Sequence, residues 1–234
     1  MATEAAKAGT FLSAIRAGDL IRVANMLEED PDLLFVHDDY YGSPVRVATD
    51  LHPHIADHLA RVELARLRAG AVAREELYSA IHDLGEAAHG TTGYPGCEKL
   101  RTEAEPTVAG FLHHPEPSIR YIAINVLSFH WDLQTYVDTL LQTSQNDPAD
   151  EVRQIALSAA AWLARGTRHP AVAKELLSII EDATRSAQER AYAYHDLVTV
   201  WQDGESAFKA DQQDAIDWTF VERVAHELAT TDPN

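Results

Sequence analysis

One cysteine, Cys97, stands in the whole chain, so an intrachain disulfide and a cysteine-built zinc site are both excluded. Basic residues are scarce as well: 19 Lys and Arg stand against 37 Asp and Glu, for a formal net charge of −18. Such a surface repels phosphate backbones and anionic headgroups, which argues against nucleic acid and membrane partners, and it attracts basic proteins. No apolar run reaches the roughly 20 residues that span a bilayer. Met1–Thr10 has no apolar leader core, and a reducing, cytoplasmic location is the expectation. Period-two alternation is nearly missing, and no strand is read. Motifs of nucleophilic or zinc-peptidase chemistry are lacking too: neither Gly-x-Ser-x-Gly nor a helical His-Glu-x-x-His occurs, and no residue is assigned a catalytic role.

What the chain does have is the 3.6-residue period. Leu133, Tyr136, Val137, Leu140 and Leu141 form one buried stripe, and Ile216, Phe220, Val221, Val224 and Leu228 form another. Asp147-Pro148 reads as an N-cap followed by proline at the first helical position, while Gly166 and Gly204 read as helix ends. About eleven helices follow from this punctuation. His89–Cys97, with three glycines and a proline in nine residues, reads as a loop. It lacks the Lys-Ser/Thr of a phosphate-binding loop, and Cys97 reads as an inert loop thiol.

Three segments repeat: Pro117–Leu127, Asp150–Ala156 and Gln188–Leu197. Their arginines, Arg120, Arg153 and Arg190, are spaced by 33 and 37 residues, each three before an alanine. A repeated helical hairpin of this size cannot bury its apolar face alone, so neighbours must stack. The Asp147–Ala156 run resembles the HEAT, or phycobilisome-lyase-like, repeat, with weaker copies at Arg120 and Arg190 and a degenerate one at Glu76–Glu86. The resemblance implies that these arginines knit one repeat to the next. Phe11–Leu27 followed by Gly42–Ala48 is similar to ankyrin repeats, with Gly18-Asp19 at the inter-helix turn and Gly42-Ser43-Pro44 at the Gly-Thr-Pro turn, although Arg46 replaces the usual His. The expected fold is therefore an all-α solenoid of stacked antiparallel helical hairpins. An ankyrin-like cap (residues 1–70) leads into HEAT-like repeats with a C-terminal capping helix (residues 71–234).

Stacking the repeats on their core alanines (Ala80, Ala123, Ala156, Ala193) generates rows of candidate partner-binding residues. Tyr78, Tyr121 and Gln154 lie two residues before an alanine, and His82, Asn125, Ser158 and His195 two after; Glu86, Phe129 and Trp162 come four further on. The family resemblance implies that these second helices line a concave groove. Interface cores favour such aromatics. The expected function is an interaction module for a basic protein partner, and small acidic proteins of this look resemble immunity proteins that neutralise a bacterial toxin. Glu28, Glu29, Asp30, Asp32, Asp38 and Asp39 crowd together with no base among them, which suits that reading. The alternative is a small-molecule enzyme with a pocket around His82, Glu86 and Tyr121; a HEAT-like DNA glycosylase fits the charge poorly.

His82, Glu86 and His89 fall on one helix face, and Glu86-Ala-Ala-His89 matches the Glu-x-x-His unit of carboxylate-bridged metal sites. A second motif from another helix is not visible. His52, His54 and His58 make a looser group. Both groups read as solvated polar faces, and no metal or other cofactor is expected.

Overall fold

The computed structural model describes residues 2–40, 42–89, 96–201 and 216–231. Among these, every regular element is helical: twelve α-helices, several 3-10 turns and one π-helical turn, with a lone bridge between Asp38 and Gly42. Two compact units result, residues 1–132 and 133–234. Gly70 lies inside the first unit, with helices on both sides of it packed together.

Unit 1 holds α1 (Ala2–Arg16), α2 (Leu20–Glu29), α3 (Pro44–Leu51), α4 (Pro53–Arg68), α5 (Leu77–Ala87), α6 (Cys97–Gly110) and α7 (Pro117–Asn125). Its turns follow from local chemistry. Gly18 takes φ +74°, a conformation that costs glycine nothing, and Asp19 caps α2 by accepting from the Arg22 amide. The close fit of the His52 ring beneath Gly18 adds a second reason for glycine: a Cβ there would stand 3.0 Å from the ring. Ser43 caps α3 by accepting from the Arg46 amide, with Pro44 at the first helical position. The odd helices α1, α3, α5 and α7 touch in succession, and α2, α4 and α6 do the same, so this unit is two layers of helices around one core. Ile55, Leu59, Ile81, Leu84 and Leu100 are fully buried within it. Each contributes about 1.5–3 kcal/mol by leaving water.

A π-turn, Val126–His130, continues α7. The Trp131 amide reaches back to the Val126 carbonyl at 3.0 Å, and Asp132 ends the turn in the left-handed region at φ 53°. The turn packs on α5 and α6.

Unit 2 holds α8 (Val137–Asn146), α9 (Asp150–Leu163), α10 (Pro170–Glu181), α11 (Ala187–Trp201) and α12 (Trp218–Thr231). Consecutive helices α8–α9 and α10–α11 pack closely, α9 lies on α11, and α10 on α12. The loop after α9 donates the Gly166 amide to the Thr199 carbonyl and the Arg168 amide to the Val200 carbonyl, each at 3.0 Å. Those two carbonyls are among the last of α11, where a helix has no internal partner to offer.

Several local readings are corrected. Helix α9 begins at Asp150 rather than just after Asp147, because the Asp147 carboxylate accepts from the Ala149 amide and holds a separate turn. Leu133 and Tyr136 precede α8, which starts at Val137 after a 3-10 turn. Cys97 is no loop thiol: it is buried and opens α6. Gly204 and residues 90–95 lie outside the described residues. The repeat arginines each bond a nearby backbone carbonyl, and Arg190 also lays its guanidinium over the Trp218 ring of α12 at 5.5 Å. Arg120 donates to the His114 and Pro115 carbonyls, Arg153 to that of Asp147, and Arg190 to that of Ile180, each bonding the turn or helix end that precedes its helix.

Candidate functional site

Helix α5 carries His82 and Glu86 four residues apart, which puts both on one face. Its opposite side buries Ala80, Ile81 and Leu84, fixing the helix against the core. The π-turn then brings His130 to the same face. Glu86 Oε1 lies 3.7 Å from His82 Nε2 and 3.7 Å from His130 Nδ1. All three ligand-type atoms stand within 4.8 Å of one another. The His82 and His89 rings meet the His130 ring edge-on, at centroid distances of 5.5 and 5.4 Å.

Gly85 makes this approach possible. A Cβ at that position would lie 2.7 Å from Val126 Cγ2 and 3.2 Å from His130 Nδ1, so any larger residue on α5 pushes the π-turn away. His130 Nδ1 is buried and has no hydrogen-bond partner. Burial lowers the His130 pKa, with the neighbouring His82 and His89 acting in the same direction and Glu86 and the nearby Gly85 backbone opposing. Burial thus favours the neutral imidazole, which keeps a lone pair on whichever nitrogen lacks the proton.

Behind His82 lies a buried carboxylate. Asp83 Oδ1 is 3.9 Å from His82 Nδ1 and accepts from Ser43 Oγ at 2.8 Å. Burial raises the Asp83 pKa, while His82 and Ser43 work against the rise. Glu63 on α4 is fully buried and neither of its oxygens has a hydrogen-bond partner. Burial first, and the Asp83 charge second, push its pKa well above the usual range.

The rows read from the sequence fall on the odd helices. Tyr78, His82 and Glu86 are on α5; Tyr121 and Asn125 are on α7, with Phe129 in the π-turn. Gln154, Ser158 and Trp162 are on α9, and His195 is on α11. None of the ten is buried, and Tyr78 and Trp162 are 42% and 41% exposed. Trp162 carries the Arg165 guanidinium over its ring at 4.7 Å. Ser158 is engaged within unit 2, donating to Asp196 on α11 at 2.9 Å. Burial raises the Asp196 pKa to about 6, against the Ser158 hydrogen bond and the His195 charge.

The structure thus joins His82 and Glu86 to a residue that helical spacing does not reveal. His130 is far away in sequence, and its placement depends on a π-turn that shifts the register after Asn125. His52 is a structural residue: its Nε2 lies 3.1 Å from the Arg16 carbonyl. A surface groove of about 640 Å³ in unit 1 is lined by Val72, Arg74, Leu77, His114, Pro115 and Glu116, and shares no residue with the pocket read around His82, Glu86 and Tyr121. The acidic cluster is also less bare than its sequence. Lys7 pairs with Asp30 at 2.7 Å, Arg66 with Asp32 at 3.1 Å, and Arg16 with Asp38.

Comparison of the chain with family models, with curated proteins and with solved structures gave no match.

Proposed function

We propose that this chain is a protein-interaction module, an α-solenoid of ankyrin-like and HEAT-like hairpins. The outward faces of its second helices take a basic protein partner, as an immunity-type inhibitor takes its toxin. The observation that carries the reading is the exposure of Tyr78 on α5 and of Gln154 and Trp162 on α9, with the other candidate residues half-buried. Tyr78 and Trp162 in particular leave a large ring surface in water, a cost that a binding face recovers in its complex. The net charge of −18 selects a basic partner over an acidic one.

Affinity capture from the native host tests this, using the wild-type chain and the Tyr78→Ala, Trp162→Ala and Lys174→Ala variants. The expected outcome is a basic protein retained by wild type and by Lys174→Ala, whose exposed site is on α10. Retention should weaken about 30-fold, the equivalent of about 2 kcal/mol, in at least one aromatic variant. Equal retention by all four chains would sink the proposal.

A further inference from the structure

We infer that His82, Glu86 and His130 form a binding site for one divalent transition-metal ion of the zinc type, which ties α5 to the π-turn and leaves at least one coordination position open to water. Two imidazoles and a carboxylate are the donor set of open zinc sites and of facial-triad sites. Its geometry is close to assembled. Two ligand atoms about 2.1 Å from a tetrahedral ion stand about 3.4 Å apart. Both histidine nitrogens lie 3.7 Å from the same Glu86 oxygen, a separation too long for a hydrogen bond and closable by small side-chain shifts.

Three further features point to an ion. First, His130 Nδ1 is a buried polar atom without a partner, which costs free energy unless something else satisfies it. Second, Gly85 clears the space that lets His130 Nδ1 come this near to α5, so backbone and ligand are arranged together. Third, the remaining nitrogen of His82 faces Asp83, which Ser43 orients. At 3.9 Å the pair is not hydrogen-bonded; closed to hydrogen-bond distance, it would be the carboxylate–histidine arrangement that fixes a ligating imidazole and raises its basicity. A solvated polar face accounts for His82 and Glu86 alone. It does not account for a third donor from another element, held out of water and turned toward them.

The test uses the full chain, purified without an affinity tag and stripped of metal, then titrated with Zn²⁺ by calorimetry and with Co²⁺ by absorption. Wild type should take up one equivalent of Zn²⁺ with micromolar or tighter affinity, and the Co²⁺ form should show the intense visible bands of a low-coordinate ion. Glu86→Gln keeps the side-chain shape and His130→Ala removes the buried donor; each should bind at least about 100-fold more weakly, beyond the range typical of losing an outer-shell partner. Asp83→Asn should lose about 10-fold. His89→Ala should retain wild-type binding, which separates this site from adventitious uptake by the other histidines. Circular dichroism of Glu86→Gln, unchanged from wild type, shows that the loss is not unfolding. X-ray absorption at the zinc edge should give two imidazoles and a carboxylate. No uptake by wild type at millimolar Zn²⁺, or undiminished uptake by both Glu86→Gln and His130→Ala, overturns the assignment.

Discussion

Glu63 is a carboxyl group with no hydrogen bond, sealed in the core of unit 1. Keeping its charge there would cost far more than keeping its proton, so burial pushes its pKa well above the usual range and favours the neutral form. The sign of the linkage follows. A carboxyl whose folded pKa is raised stabilises the fold least at high pH: stability is complete below the unfolded value near 4.3 and falls as pH rises toward the folded pKa. Glu63→Leu, which removes the penalty at similar volume, should stabilise the protein by about 1–3 kcal/mol at pH 7. Its advantage should be larger at pH 9 than at pH 5. Urea unfolding of both chains at the three pH values checks this; a variant less stable than wild type throughout would show that the carboxyl is serving a contact. Helical spacing in the sequence was enough to put His82 and Glu86 together. The same spacing sets Glu63 four residues from both Leu59 and Leu67, on the buried stripe of α4, but it does not tell that the carboxyl finds no hydrogen-bond partner there.

At the scale of the element, hydrophobic periodicity and capping residues were the legible part. Ser43-Pro44 and Gly18-Asp19 begin or separate helices as their chemistry requires. The core alanines chosen from the repeat are buried, with Ala80, Ala123 and Ala156 at 0% exposure. Ala123→Asp and Ala156→Asp should therefore each cost several kcal/mol, the penalty of a buried unpaired carboxylate. Thermal melts should show loss of the cooperative transition or a large drop in Tm; wild-type melting of either variant would mean that its helix can turn that residue outward. Spacing failed where side chains rewrite the backbone. Asp147 takes up the Ala149 amide, so the apparent cap belongs to a turn and α9 starts later. The π-turn after Asn125 is the sharper case. One extra residue per turn rotates everything beyond it, and His130 arrives on a face that a 3.6-residue count assigns elsewhere.

For the whole molecule, the helical class followed from composition and period, while the distribution of charge did not. Asp30, Asp32 and Asp38 look like free acids in sequence, yet Lys7, Arg66 and Arg16 reach them from other helices. Contacts between residues distant in the chain are what a linear reading cannot supply. The acidic stretch accordingly divides in two. Asp38 is nearly buried, pairs with Arg16 and accepts from the Tyr40 amide at 3.0 Å. Asp38→Ala should lower stability by about 1–3 kcal/mol. Glu28 and Glu29 are exposed, and the double change to lysine should leave stability within about 0.5 kcal/mol while slowing association with a basic partner. Unfolding curves and association rates at two salt concentrations check both. A destabilised lysine variant beside an unaffected Asp38→Ala would reverse these roles.

The loop that follows α9 has a consequence in time. Gly166 and Arg168 are on a surface connection, where amide hydrogens ordinarily trade with solvent within seconds or less. Both are instead committed to the Thr199 and Val200 carbonyls. Neither can be released without lifting the loop from the end of α11, so the two hydrogens share one clock, set by a joint opening event. Measured against the exchange of α9 and α11 themselves, that clock separates two cases. Either the end of α11 frays on its own, or the helix and the loop over it open as one body.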